Sequence, residues 1–178
     1  MNSPPPAALV CLDLQRARVS GSPAAAAQVT GTCRRVLELA RARAWPVLHV
    51  HRREATAEGA RPIVGLEPLP TEPIYLRRGP SAFSHPAFAR HAQGLGGPLA
   101  LIGFSMTDAV LATAFAAADL QLPVEVLSDA VATGERDDPD LRRALSAPLT
   151  SLFPLCRLIR SDDLLQEEAA AFVAANAP

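Results

Sequence analysis

Chemistry in this chain concentrates at Asp13, at Arg77 and along the turn from Gly103 to Ala114. Asp13 ends the apolar run Ala7-Ala-Leu-Val-Cys-Leu12, which suits a strand buried on both faces. A carboxylate at the end of such a strand can move a proton, or can cap the strand and nothing more. Arg77 and Arg78 supply permanent positive charge and paired N–H donors that fit a carboxylate. The pattern does not say which of the two faces inward and which is a surface cation. Ser81 reads as a turn or cap residue, and Ser105 offers its backbone rather than its hydroxyl; neither has a supporting base in the pattern.

Other reactive residues read more plainly. Cys11, Cys33 and Cys156 are odd in number and far apart, so they read as small buried apolar residues rather than a disulfide framework or a zinc knuckle. His49-Val-His51 places two imidazoles on one face of a strand. Metal binding there is the weaker reading, and neither metal nor cofactor is expected. His51 is expected to line the pocket, whereas His85 and His91 read as surface or packing residues and Trp45 and Tyr75 as core or interface aromatics. Gly94-Leu-Gly-Gly precedes a strand instead of following one, so it is not a phosphate loop.

These residues need a scaffold, and the pattern supplies an alternation of strands and helices. Strands are predicted over residues 7–12, 46–50, 73–76, 99–103, 124–127 and 156–159. Helices are predicted from Pro23 to about Arg43, capped by Ser22, and from Pro86 to about Gln93. Another is predicted from Thr107 or Asp108, either of which could cap it, to about Leu120. Two more run from Pro139 to Leu149 and from a cap at Ser161-Asp-Asp163 to about Ala174. Residues 54–72 read as an irregular loop. The predicted architecture is α/β, a doubly wound, Rossmann-like parallel sheet of six strands in the order 3-2-1-4-5-6, forming a single domain over residues 1–178. In that order the first and fourth strands meet at the switch point, which brings Asp13 to the turn leading to Ala109.

Composition narrows the function classes. Only 4% of residues are aromatic while 49% are hydrophobic, so Ala, Leu and Val must build the core. A net charge of -1 argues against nucleic acid or an anionic membrane as partner. No apolar run approaches the roughly 18 residues that span a bilayer. The start, Met1-Asn-Ser-Pro-Pro-Pro6, lacks the charged and apolar regions of a signal peptide, and a cytoplasmic protein is expected.

Three separated pieces then resemble the isochorismatase-like, or nicotinamidase-related, cysteine hydrolases. Leu12-Asp13-Leu-Gln15 resembles the family's aspartate motif. Arg77-Arg-Gly-Pro-Ser81-Ala-Phe83 resembles its lysine motif, with Arg77 at the lysine position. Gly103-Phe-Ser-Met-Thr-Asp-Ala109 resembles its nucleophile turn, with Ala109 at the cysteine position, and Asp129-Ala-Val-Ala-Thr133 resembles a further signature. The resemblance implies catalytic roles for Asp13 and Arg77, a vacant nucleophile position at Ala109, and substrate contacts from Phe104, Ser105, Ala109 and His51. It implies a cis bond at Phe104–Ser105, with the Ser105 and Ala109 N–H groups as oxyanion donors. Nicotinamidase relatives carry an Asp-x-His metal motif where this chain has Arg52 and Glu54. The family commonly forms dimers or tetramers, so a homo-oligomer is expected.

With alanine at position 109 the cysteine acyl-enzyme route is closed there. True isochorismatases are similar in having a small residue at that place, and their aspartate protonates a vinyl ether. This resemblance implies a small anionic substrate, Asp13 as acid, Arg77 as clamp and room for a ring beside Ala109. The Arg77 cation would oppose protonation of Asp13, so burial must offset it. The competing reading is a family member that binds a small ligand or serves as an oligomeric scaffold without turnover. A dinucleotide oxidoreductase is a third, weakened by the absence of Gly-x-Gly-x-x-Gly after the first strand.

Overall fold

The computed structural model describes residues 5–19, 23–134 and 138–164. Its centre is a parallel sheet in the order β3-β2-β1-β4-β5-β6, as the alternation predicts. The strands are β1 (Ala8–Leu12), β2 (Val47–His51), β3 (Ile74–Leu76), β4 (Leu99–Gly103), β5 (Val124–Val131) and β6 (Cys156–Ile159). The helices are α1 (Pro23–Ala42), α2 (Ala57–Ala60), α3 (Pro86–Gly94), α4 (Leu111–Asp119) and α5 (Pro139–Thr150).

Every residue of β1, β2 and β4 is buried, which is why β1 and β4 read as unbroken apolar runs. Alternation divides their side chains between two cores. Ala8, Val10, Leu12, Leu101 and Val126 join Phe88 of α3 and Ala114 of α4 on one face. Leu9, Cys11, Ala100 and Ile102 join Cys33, Val36, Leu37 and Ala40 of α1 on the other. Those α1 positions recur at helical spacing and form one apolar stripe. Each buried Leu or Val side chain contributes about 1.5–3 kcal/mol, so aliphatic residues suffice for a core nearly without aromatics.

Several local expectations need correction. Residues 54–72 are not wholly irregular: Thr56 accepts from the Gly59 N–H at 3.0 Å and caps the single-turn α2. That segment is tied to the chain after β1 by Ile63 N–H to Leu14 O at 3.0 Å and Arg16 N–H to Arg61 O at 2.9 Å. One polar turn is too short to register as a helical period. Strand β5 runs four residues past Leu127 because its pairing with β4 resumes after an irregularity, Gly103 opposite Val131. Ser22 and the stretch of the last predicted helix beyond Leu164 lie outside the described residues.

Candidate functional site

The carboxyl ends of β1, β2, β3 and β4 form the site. Leu12 lies opposite Val50 on one side and Gly103 on the other. Asp13 leaves the strand with φ 49°, a left-handed conformation that aspartate tolerates better than most residues. Its N–H still bonds Val50 O at 2.8 Å. Gly103 fits here because its φ is +123° and a Cβ would stand 2.0 Å from Leu12 O. Phe104 N–H closes the junction on that same carbonyl at 2.9 Å.

Arg77 follows β3 and reaches past β2 to Asp13. Its Nη2 donates to Asp13 Oδ2 at 2.6 Å, and its Nε lies 3.1 and 3.2 Å from the two carboxylate oxygens. Its Nη1 donates to the carbonyls of Gly79 (2.8 Å) and Pro80 (3.1 Å). Ser84 holds those carbonyls in place: its Oγ accepts from the Arg78 and Gly79 N–H groups and donates to Ser81 O. Ser81 caps the short 3-10 turn Ala82–Ser84, and Thr113 of α4 accepts from Ala82 N–H at 3.0 Å. The structure therefore selects Arg77 as the inward cation and leaves Arg78 exposed.

Asp13 is wholly enclosed and Arg77 nearly so. Burial raises the Asp13 pKa above the ordinary carboxylate value, against the opposing pull of the Arg77 hydrogen bonds and charge. Burial also works against the Arg77 cation, but its bonds to Asp13 and then Asp108 hold it firmly charged. Desolvation thus offsets the cation, the condition a proton-donating Asp13 requires.

An open pocket of about 340 Å³ lies above this pair, lined by Arg52, Arg53, Arg77, Arg78, Gly79, Pro80 and Asp108. Asp108 Oδ2 accepts from Arg77 Nη2 at 3.0 Å and from Arg52 Nη1 at 3.1 Å. Gln15 places Arg52: its Oε1 accepts from the Arg52 N–H at 2.8 Å and its Nε2 donates to Arg52 O at 3.0 Å. Glu54 pairs with Arg18 at 2.7 Å, away from Arg52. Arg52, Arg53, Asp108 and Gln15 are members of the site that the sequence reading did not place there. A signal existed: two arginine doublets, each directly after one of two neighbouring parallel strands, must emerge at the same sheet edge.

The turn after β4 carries a cis Phe104–Ser105 bond, as the resemblance implies. The next residues form a π turn, Met106–Val110, in which Val110 N–H reaches Ser105 O at 3.1 Å. Neither Thr107 nor Asp108 caps a helix there. Thr107 Oγ1 bonds Ser105 Oγ at 2.9 Å, and Asp108 serves the two guanidinium groups, which attract a carboxylate more strongly than backbone N–H groups do. Ala109 is fully buried among apolar residues of the α3–α4 core, so no open space for a ring lies beside it.

His51 and Phe104 do not line the arginine pocket. Strand alternation sends His51 to the same face as His49, whose partner across β1 is Cys11, and Phe104 belongs to that core too. The two imidazoles meet edge to face, centroids 6.1 Å apart. Burial, then the neighbouring His49, lowers the His51 pKa to about 4. His49 Nε2 stands 2.9 Å from Glu72 Oε2. Among the described residues no three His, Cys, Asp or Glu side chains converge as a metal site. His85 caps α3 and His91 bonds the Tyr75 hydroxyl at 2.7 Å. All three cysteines are buried. Asp129 accepts from Ser161 N–H at 2.8 Å and Oγ at 2.7 Å, anchoring the segment after β6.

Known structures share this fold. An isochorismatase from Pseudomonas putida superposes with a TM-score of 0.78 at 22% identity, over 90% of this chain and 92% of its own. An isochorismatase family protein from Desulfovibrio vulgaris gives 0.76 at 24% identity, over 91% and 97%. N-carbamoylsarcosine amidase from Thermoplasma acidophilum gives 0.71 at 24% identity, over 89% and 98%. Comparison by sequence with curated proteins returns no match. No described helix is long and apolar enough to cross a membrane. The isochorismatase domain family model matches residues 7–145, a stretch that includes Asp13, Arg77 and the turn through Ala109, and the chain belongs to the isochorismatase family.

Proposed function

We propose that this chain is a hydrolase of small anionic molecules that works without a cysteine nucleophile and depends on Asp13. The observation that carries this reading is the buried Asp13–Arg77 pair beneath a pocket lined by four arginines. The acid group of a substrate draws Arg77 outward. Asp13 then loses the cation that favours its ionised form while keeping the enclosure that favours the protonated one. As general acid it gives its proton to the vinyl carbon of an enol ether. Water adds to the resulting oxocarbenium carbon and releases one proton, which restores Asp13; the hydroxyl proton of that adduct passes to the ether oxygen as its C–O bond breaks, leaving a carbonyl compound and an alcohol. Arg77 orients the substrate, and Ser105 opens the turn that carries Asp108 to the pocket. A single domain, a homo-oligomeric state and a cytoplasmic setting accompany this reading.

Binding without turnover is the second reading. It is favoured by the enclosure of Asp13, whose carboxylate lies behind Arg77 rather than on the pocket wall, and by the burial of Ala109. Hydrolysis of isochorismate by the wild type beside Asp13→Asn separates the two. Turnover that the substitution abolishes supports the hydrolase. Full turnover by Asp13→Asn refutes the assignment of Asp13, and saturable binding without product supports the second reading.

A further inference from the structure

The pocket contains its own anion. One oxygen of Asp108 bridges Arg77 and Arg52, the place that the acid group of a ligand would take to satisfy both guanidinium groups. Asp108 can turn to water: its side chain is 30% exposed and its pair with the 46% exposed Arg52 is open and weak, although its other partner, Arg77, is only 5% exposed. Asp13 is not free in this sense, since it has no water to turn to. Arg53 and Arg78 line the same pocket, are exposed, and have no carboxylate partner among the described residues. Four guanidinium groups face two carboxylates, which leaves positive charge for an incoming acid group.

We propose that Asp108 is a built-in competitor for this arginine subsite, so that a ligand binds by displacing its carboxylate with a carboxylate or phosphate of its own. The inference rests on the reading of the pocket as an anion site. It assigns Asp108 as a specificity-determining residue. Only a group that bonds Arg52 and Arg77 together, and gains further from Arg53 or Arg78, outcompetes the resident carboxylate; neutral molecules and weak single-point anions do not.

Calorimetric titration at low salt with succinate and, separately, inorganic phosphate tests this. Asp108→Asn and Asp108→Ser should each bind at least one probe about tenfold more tightly than the wild type, because a like charge within a few ångströms of the ligand is gone. The probe that gains identifies the acid group the subsite prefers. Arg53→Gln should weaken binding severalfold. Asp119→Asn, which removes an exposed charge at the far end of α4, should change it less than about twofold. Melting curves without ligand report on folding separately. Equal or weaker binding by both Asp108 variants overturns the inference and makes Asp108 a positioning residue for Arg77. Binding of neither probe by any form overturns the anion-site reading with it.

Discussion

Arg77→Leu tests the energetics of the site most directly. The substitution removes the partner from a fully enclosed carboxylate that accepts from Arg77 through both Nε and Nη2. Breaking a buried pair in this way costs about 3–5 kcal/mol, because the remaining charge is uncompensated. The carbonyls of Gly79 and Pro80 lose a donor as well, adding about 1 kcal/mol. The pH dependence distinguishes this cause from lost packing. Burial already places the folded pKa of Asp13 above its ordinary value, and loss of Arg77 raises it further. A group raised in the folded state contributes stability below its unfolded pKa and loses it as pH rises through the folded pKa. The penalty in Arg77→Leu is therefore largest at neutral pH and shrinks as acidification protonates Asp13, toward the ordinary carboxylate value of about 3.9. Urea unfolding of wild type and variant at matched pH measures it. The double variant Asp13→Asn/Arg77→Leu should be more stable than Arg77→Leu at neutral pH. A cost under about 1 kcal/mol, or one independent of pH, would refute the reasoning.

Three further outcomes are expected. With His51 depressed to about 4, its contribution to stability is complete above about pH 6.5 and is lost as pH falls through about 4, up to about 3 kcal/mol; His51→Leu should flatten that limb of the urea-derived stability profile, and an unchanged slope would contradict it. Gly103→Ala places a Cβ against Leu12 O in a positive-φ conformation, so it should cost more than about 4 kcal/mol, read as a lowered melting temperature or loss of soluble protein. Burial pushes Cys33 up to about 12 and Cys156 up to about 11, and raises Cys11 too; a thiol-exchange reagent should find no reactive cysteine in the native protein and three after unfolding, and rapid native labelling would refute this.

Much of the fold was legible because its signals are local. The apolar runs of β1 and β4, the stripe on α1 and the proline and glycine breaks each act within a few residues, and the right-handed crossover rule then limits the strand order. The resemblance pointed to a cis bond at Phe104–Ser105, which the structure contains, and to Asp13 and Arg77, which the fold brings into contact. Less legible were the one-turn α2, the π turn in place of a capped helix, and the extension of β5. These depend on hydrogen bonds to distant backbone, such as Met106 N–H to Ala132 O at 2.7 Å.

Residue order alone thus established a parallel α/β sheet with a carboxylate at its switch point. Only tertiary packing decided which arginine points inward, because Arg77 and Arg78 differ by one residue and the loop held by Ser84 sets which of them crosses β2. Packing also buried His51 edge to face with His49 and let Asp108 join guanidinium groups from two separate strand ends. Local periodicity specifies which face of an element is buried. The chemistry depends on where long side chains end, and that is fixed by contacts between segments far apart in the chain, such as the 64 residues separating Asp13 from Arg77.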